Sequence, residues 1–490
     1  MLARANSGTI IGVDAHPVVA EAYRSPGLPG TSLVGLARGA VRESIVRVRS
    51  AITASGFHLG HFRQVVNLLP AELPKEASAI DLPVAMSLLG TAGIIPIGAL
   101  EGRRFYGELS LAGALEPVRG VVLLSDLARR TGDRELVVPS ANAAEAAIIP
   151  GVRVIGVSTL TELVAYLQGM LAIAPTPADT TPSPAPHGCF SEVRGQQRAK
   201  RALEIAAAGG HNLLMIGPPG SGKPMLARRM PTILPELYPE ESFEVTRIQS
   251  AAGLSRTAAL ARTRPFRAPH HTASEAALCG GGSIPRPGEI TLAHRGVLFL
   301  DELPEFARRA LESLREPLEQ GAIHIARASM SLTFPTEVLL VAAMNPCPCG
   351  RYRGDLGAAA AREALAGPPC LCSLDQVQRY RSRISGPLLD RIDLHVLVDA
   401  VTYRDYAAVG EGETSTAIRE RVVAARARGH ERLGAARCNA SMSDGELRHH
   451  VMLDEAQLWL VEQAIERYGL STRAIGRTLK VARTLADLAG

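Results

Sequence analysis

Apolar residues in this chain come in short runs broken by glycine and proline, and their period changes from region to region. Through residues 1–170, β-rich runs alternate with helix-like ones. Thr9–Val13, Ile45–Ile52 and Arg63–Leu68 read as strands, and Pro83–Leu89 as a buried helix. Further β-rich runs follow at Arg104–Leu109, Gly120–Ala128 and Leu136–Pro139. A helix-like stretch at Ala141–Ala147, a strand at Val152–Gly156 and a helix at Leu160–Leu167 close the region. The pattern predicts a mixed α/β domain. Leu171–Gly188, LAIAPTPADTTPSPAPHG, has five prolines and no apolar period, as an extended linker permitting relative domain motion would.

Beyond the linker, Gln197–Ala208 carries Ala199, Leu203 and Ala206 along one helical side. Leu213–Ile216 is a short buried strand that enters Gly217-Pro218-Pro219-Gly220-Ser221-Gly222-Lys223, with a helical pattern after it. Strand, glycine-rich turn and helix make a phosphate-binding loop: backbone N–H groups converge on an anion, the helix N-terminus adds partial positive charge, and Lys223 supplies a mobile one. The loop departs from its pattern at Pro224, where a Ser or Thr hydroxyl usually helps hold Mg²⁺. Proline is compatible with a helix's first turn, so the loop should fold and bind nucleotide; efficient hydrolysis is the open question.

Gly296–Leu300 is an apolar strand ending in Asp301 and Glu302, about 75 residues after the loop, which suits a carboxylate for Mg²⁺ (Asp301) and one that polarises the attacking water (Glu302). Val338–Ala343 reads as another strand, ending before Asn345, and Ile323–Arg327 with Ser329–Phe334 as a β-hairpin. Ser385–Leu394 reads as turn, short helix and strand around Arg391, with Arg383 nearby. From Ser415 the pattern is helical: a basic helix at Ala417–Gly429, a helix at Leu453–Tyr468 whose Trp459 is expected in the core, and a last helix capped by Ser471 that bears Arg473.

Length and charge refine this picture. With 490 residues the chain has room for two to four domains, and a net charge of +5 permits polyanion contact without requiring it. Seven cysteines, an odd number, exclude a paired disulfide framework as the simple reading. Cys347 and Cys349 in NPCPCG, with Cys370 and Cys372 in PPCLCS, fit either a tetrahedral thiolate zinc site pinning a loop or four free thiols. RTRPFRAPHH, 262–271, is basic with one aromatic, and its paired histidines lack an evident third metal ligand. The start has no clean signal-peptide core, and Val84–Leu100 is too short and too broken for a membrane span, so a cytoplasmic protein without membrane association is expected.

GLPGTSLVGLARGAVRESIVRVRSAI, VNLLPAELPKEASAIDLPVA and FYGELSLAGALEPVRGV resemble the N-terminal domain of bacterial magnesium-chelatase-like ATPases, which is similar in fold to the (S5-like) protease domain of Lon. On that comparison the catalytic serine falls at Ser78 and its lysine partner near Val122. Valine cannot activate a serine, so peptidase activity is not expected. Taken with the phosphate loop, the acidic strand end and the RPFRxPHH signature, the chain resembles the YifB/ComM-type magnesium-chelatase-like AAA+ ATPases over nearly its whole length. The resemblance implies a Lon-protease-like domain (1–170, non-catalytic), a linker (171–188), a P-loop AAA+ ATPase core (189–400) and a C-terminal helical lid (401–490). It implies ATP and Mg²⁺ as cofactors, Asn345 as the sensor of the γ-phosphate, Arg391 as the arginine finger reaching a neighbouring subunit, and Arg473 as a lid arginine touching the phosphates of its own subunit.

In that family an aromatic and a histidine usually follow the lid arginine; here Ala474-Ile475-Gly476-Arg477 does. The resemblance further implies a homo-oligomer, a hexamer, moving on single-stranded or branched DNA as a branch-migration helicase that supports recombination of transforming DNA, with His324 and Arg327 of the hairpin as DNA contacts and recombination proteins as partners. Two rivals stand beside it: a chelatase-type ATPase that remodels a protein or porphyrin-linked partner, and a nucleotide-binding assembly factor whose hydrolysis Pro224 weakens.

Overall fold

The computed structural model describes residues 1–35, 38–75, 79–178, 188–254, 259–282, 285–327, 330–352, 369–400, 412–434 and 437–490, and at 38–42, 327 and 330 the backbone alone. Ser78, the tip of the 322–335 hairpin, half of the Pro-rich linker (179–187) and the Arg327 side chain lie outside what it describes.

The N-terminal region is a seven-stranded sheet with strands β1 (Leu2–Ile11), β2 (Asp14–Ser25), β3 (Gly30–Val34), β4 (Arg63–Leu69), β5 (Arg103–Phe105), β8 (Glu135–Pro139) and β9 (Arg153–Val157), in the order β3-β4-β2-β1-β5-β8-β9. A small hairpin, β6 (Glu108–Leu109) and β7 (Leu115–Glu116), stands apart from it. β1, β2 and β4 pair antiparallel, and β1, β5, β8 and β9 parallel, so helices must cover the parallel half. They are α1 (Arg38–Ala54), α2 (Asp81–Ala92), α3 (Val121–Thr131), α4 (Ser140–Ala146) and α5 (Leu160–Leu167).

Two expected strands are helical. Ile45–Ile52 lies within α1, where Val48, Ala51 and Ile52 are buried at i, i+3 and i+4 while Val46 faces solvent. Its β-branched residues suggested a strand; one apolar stripe at helical spacing decided otherwise. Gly120–Ala128 falls on α3, whose Val121–Ala128 are all buried, so no polar face revealed the 3.6 period.

In the second region α6 (Gln197–Gly209) leads to β10 (Leu213–Ile216), then α7 (Lys223–Arg228) and α8 (Pro239–Ala251). A parallel five-stranded sheet follows the order β11-β14-β17-β10-β18, with β11 at Phe266–Arg267, β14 at Val297–Leu300, β17 at Leu339–Met344 and β18 at Leu394–Leu397. β10 therefore runs between β17 and β18, and its C-terminal end opens beside theirs. Two hairpins leave this sheet: β12 (Gly280–Gly281) with β13 (Arg286–Pro287), and β15 (Ala322–Arg327) with β16 (Met330–Pro335). After the short helix α9 (Gly386–Leu389) the chain ends in helices that include α10 (Ser415–Leu433), α11 (Glu455–Tyr468) and α12 (Thr472–Ala489). α10 joins α6 and β10 in one apolar core through Ile418, Val422 and Ala425. α11 buries no residue, and Trp459 is 58% exposed rather than in the core.

The two α/β regions are in contact. The Gly120 N–H donates to the Ser250 carbonyl at 2.9 Å, and Ser250 Oγ donates to Glu145 at 2.6 Å. Arg247 reaches the Val13 carbonyl at 3.0 Å and pairs with Asp14. Val13, Leu124, Ile248 and Phe334 belong to one cluster spanning both regions, and fully burying such a side chain contributes about 1.5–3 kcal/mol. Val122, where a Lon-type lysine would stand, is wholly buried with Ile148 and Ile149 against Phe243 and Leu260 of the second region.

Candidate nucleotide site and the arginine cleft

Residues 217–222 form the turn between β10 and α7, with Gly220 and Gly222 at φ 76° and 85°, which L side chains adopt at a cost. Pro224 takes the first turn of α7 without breaking it. Lys223 is 5% exposed, and its Nζ donates to the carbonyls of Gly217 (2.7 Å) and Pro218 (2.8 Å). It also lies 3.4 Å from Ser221 Oγ and 3.4 Å from Asn345 Oδ1. Burial lowers the pKa of this lysine; Asp301 and Glu302, close enough to be felt, act the other way. The loop, the end of β17 and the end of β14 thus converge on one ammonium.

Asp301 Oδ1 accepts the N–H of Glu302 at 2.9 Å, leaving its second oxygen for a cation. With Pro224 in place of a hydroxyl, a Mg²⁺ here would draw Asp301, water and phosphate oxygens, a set that suits a hard cation keeping several waters. Glu302 has φ 51°, a left-handed conformation unusual for a glutamate, and its carboxylate lies 3.2 Å from His271 Nδ1.

The RPFRAPHH segment acquires a structural account. Arg264 is buried in a two-bond ion pair with Glu241, and Arg267 makes two bonds to Glu289 at 2.6 and 2.7 Å. These pairs fix β11 beside β14 and bring His271 to Glu302. The rings of His270 and His271 lie 4.1 Å apart at a tilt and His270 Nδ1 is bonded to Thr272, and among the described residues no third ligand joins the pair.

The four patterned cysteines come together, with all Sγ atoms within 4.8 Å of one another. Cys347, Cys349 and Cys370 are separated by 3.3, 3.5 and 3.7 Å, near the ~3.8 Å that 2.3 Å Zn–S bonds at tetrahedral angles require. Donor set and spacing fit zinc. The cluster abuts the phosphate loop: a Cβ on Gly350 would stand 2.3 Å from Pro219 Cδ, so glycine alone permits this approach. Cys189, Cys279 and Cys438 take no part in it.

Arg391 and Arg473 lie elsewhere. Arg391 donates to the Pro387 carbonyl at 2.6 Å and pairs with one oxygen of Glu319; Arg473 meets the other oxygen at 3.2 Å. Both line one cleft between core and lid, together with Asn212, Glu319 and Arg477, and no residue of the phosphate loop lines it. Arg473 thus sits with Arg391 and not beside Lys223. The cause is the seating of α12, which is anchored near its far end by Thr484 bonded to His211 and near Arg473 by Arg477 on the Ile392 carbonyl. Arg383 pairs with Glu305 at 2.8 Å, next to the Asp301–Glu302 turn. His324 bonds Thr333 across its hairpin and is exposed.

Sequence reasoning missed His271, Glu319 and Asn212. The histidine pair was visible; the other two have no signal but tertiary contact.

Three family profiles cover the chain: magnesium chelatase, subunit ChlI, over residues 189–406; subunit ChlI of Mg-chelatase over 20–142; and the ChlI C-terminal profile over 412–490. The chain is 42% identical over 480 residues to the uncharacterized protein YifB of Escherichia coli (strain K12), spanning 98% of this chain and 92% of that one. It is 41% identical over 496 residues to the competence protein ComM of Haemophilus influenzae, spanning 100% and 94%. Similarity to the magnesium-chelatase 67 kDa subunit of Chlorobaculum parvum, 28% over 163 residues, spans 32% of this chain and 23% of that one. Among the described residues no helix is long and apolar enough to cross a membrane.

Proposed function

The chain belongs to the YifB/ComM-type magnesium-chelatase-like AAA+ ATPases, and from that premise we propose that it is a ring motor that hydrolyses ATP to move on single-stranded or branched DNA. Membership itself implies binding of ATP with Mg²⁺ and its hydrolysis. The observation that carries the ring is the separation of Arg391 and Arg473, joined through Glu319, from the cluster around Lys223. A guanidinium stabilises charge developing on the γ-phosphate only by reaching it, so arginines outside their own site serve a neighbour's. Lys223 would exchange its carbonyl partners for phosphate oxygens, Asp301 would hold Mg²⁺, Glu302 would polarise the attacking water, and Asn345 would orient it.

The hairpin β15–β16 supports the DNA reading. Its base is packed, with Phe334 buried and lying 3.5 Å from where a Cβ on Gly12 would be. One relative bears the name competence protein, which fits a task in the recombination of transforming DNA, as branch migration would be. Zinc on Cys347, Cys349, Cys370 and Cys372 would pin the loop that follows Asn345.

The test is ATP turnover with and without forked DNA across a salt series, alongside particle mass with ATP. Expected are hexamers and a DNA stimulation that fades as salt rises, since phosphate contacts release counterions. Turnover indifferent to DNA but raised by a protein partner would transfer the reading to a protein-remodelling ATPase. Pro224 favours a second reading, an assembly factor that binds ATP and barely hydrolyses it; nucleotide binding with negligible turnover on any DNA would establish that instead.

A further inference from the structure

Asn212 immediately precedes β10, and its side chain is divided between two other parts of the ATPase. Its Oδ1 accepts the N–H of Leu340 in β17 at 2.9 Å, on the strand that delivers Asn345. Its Nδ2 donates to the main-chain carbonyl of Arg391 at 2.8 Å. Its own carbonyl accepts the N–H groups of Asp393 (3.1 Å) and Leu394 (3.0 Å). The preceding residue extends the junction: His211, fully buried, bonds Asp393 at 3.1 Å through Nδ1 and Thr484 of α12 at 2.8 Å through Nε2.

Sheet pairing alone does not ask for this. Joining a strand N–H on one side to a carbonyl on the other needs an acceptor and a donor on one short head, which the carboxamide of asparagine supplies. The Arg391 guanidinium is held at its outer end by Glu319 and the Pro387 carbonyl, so Asn212 grips the same residue from its backbone side.

We propose that Asn212 is a positioning residue that couples the phosphate loop of its own subunit to the Arg391 that the subunit presents to its neighbour. Displacement of β10 or β17 when nucleotide binds or leaves moves the carboxamide, and the carboxamide moves the backbone that carries Arg391. One subunit's nucleotide state thereby governs catalysis in the next. The inference rests on the reading that Arg391 acts across a subunit boundary.

Mixed assemblies separate the two. Subunits carrying Glu302→Gln, which hold ATP without hydrolysing it, recover turnover when mixed with subunits carrying Arg391→Ala, because the first kind supplies Arg391 to intact phosphate loops on the second. Asn212→Asp keeps size and the acceptor for Leu340 but sets an oxygen against the Arg391 carbonyl. Added to the Glu302→Gln subunit, it lowers the recovered kcat by about tenfold with the KM for ATP unchanged. Added to the Arg391→Ala subunit, it leaves the recovered rate within about twofold. Equal losses in both placements, or loss only in the second, would mean that Asn212 serves its own loop and would overturn the inference. No recovery from the parent mixture would overturn the trans role of Arg391, and this inference with it. Particle mass and melting temperature are read for each mixture; if the Asp variant does not assemble, Asn212→Ser, neutral and too short to reach Arg391, is judged by the same outcomes.

Discussion

The imidazole of His271 holds the carboxylate of Glu302 at 3.2 Å, from a segment fixed by the Arg264–Glu241 and Arg267–Glu289 pairs. A base for water activation must keep its oxygen aimed, and Glu302 has few other anchors. His271→Ala is expected to lower kcat by about tenfold, ~1.4 kcal/mol of barrier, with little change in KM. Glu302→Gln should abolish turnover and leave ATP binding intact. Steady-state kinetics and nucleotide titration check both; a raised KM without loss of kcat in His271→Ala would assign the histidine to binding.

Pro224 removes one oxygen from the cation's surroundings without disturbing α7. Pro224→Thr is expected to raise kcat by about tenfold and to lower the Mg²⁺ concentration at half-maximal rate. A Mg²⁺ titration at saturating ATP decides this. An unchanged Mg²⁺ requirement would show that water already fills the place of the missing hydroxyl.

The sulfur cluster should hold one metal per chain. Elemental analysis of purified protein is expected to find zinc at about equimolar ratio, and Cys347→Ser to lose it. Because Gly350 presses on Pro219, removing zinc should also weaken ATP binding by a fewfold and lower the melting temperature by several degrees. A chelator-treated protein with both properties unchanged would show the thiols to be bystanders.

Asp81, fully buried at the start of α2, is pushed up to about 6 by burial, with Arg47 and Ser44 offsetting part of the shift. A carboxyl whose folded-state pKa lies above its unfolded 3.8 favours folding while protonated, and that contribution is lost as pH rises through about 6. The stability difference between the natural protein and Asp81→Asn should therefore shift against the natural protein between about pH 4 and pH 6 and level off above. Denaturant unfolding at a series of pH values measures it; a difference that is flat over that window would mean the carboxyl stays ionised.

The elements that carry nucleotide chemistry were legible because their signals are local. The strand read at Leu213–Ile216 is β10, and the apolar run ending in Asp301 is β14. Elsewhere the outcome depended on what packs from outside the segment. Ile45–Ile52 has the composition of a strand and the stripe of a helix. Val121–Ala128 is buried from both regions, Ser125 and Asp126 included, so exposure does not follow its 3.6 period. Trp459 is of a type usual in cores, yet it is exposed on a helix that buries none of its residues among those described. The place of Arg473 depends on Thr484, more than two helical turns along α12, and Glu319 stands far from Arg391 and Arg473 in sequence, so neither relationship leaves a trace in spacing.

The docking of α3 against α8 bears on how the chain is made. The first region leaves the ribosome with Val122 packed on Ile148 and Ile149 alone, because Phe243 and Leu260, which complete its cover, are not yet synthesised. At bacterial rates, reaching Phe334 from residue 170 takes on the order of ten to thirty seconds. Through that interval the apolar seam between the two regions is only half built, which makes the order of synthesis part of how the first region reaches its final packing.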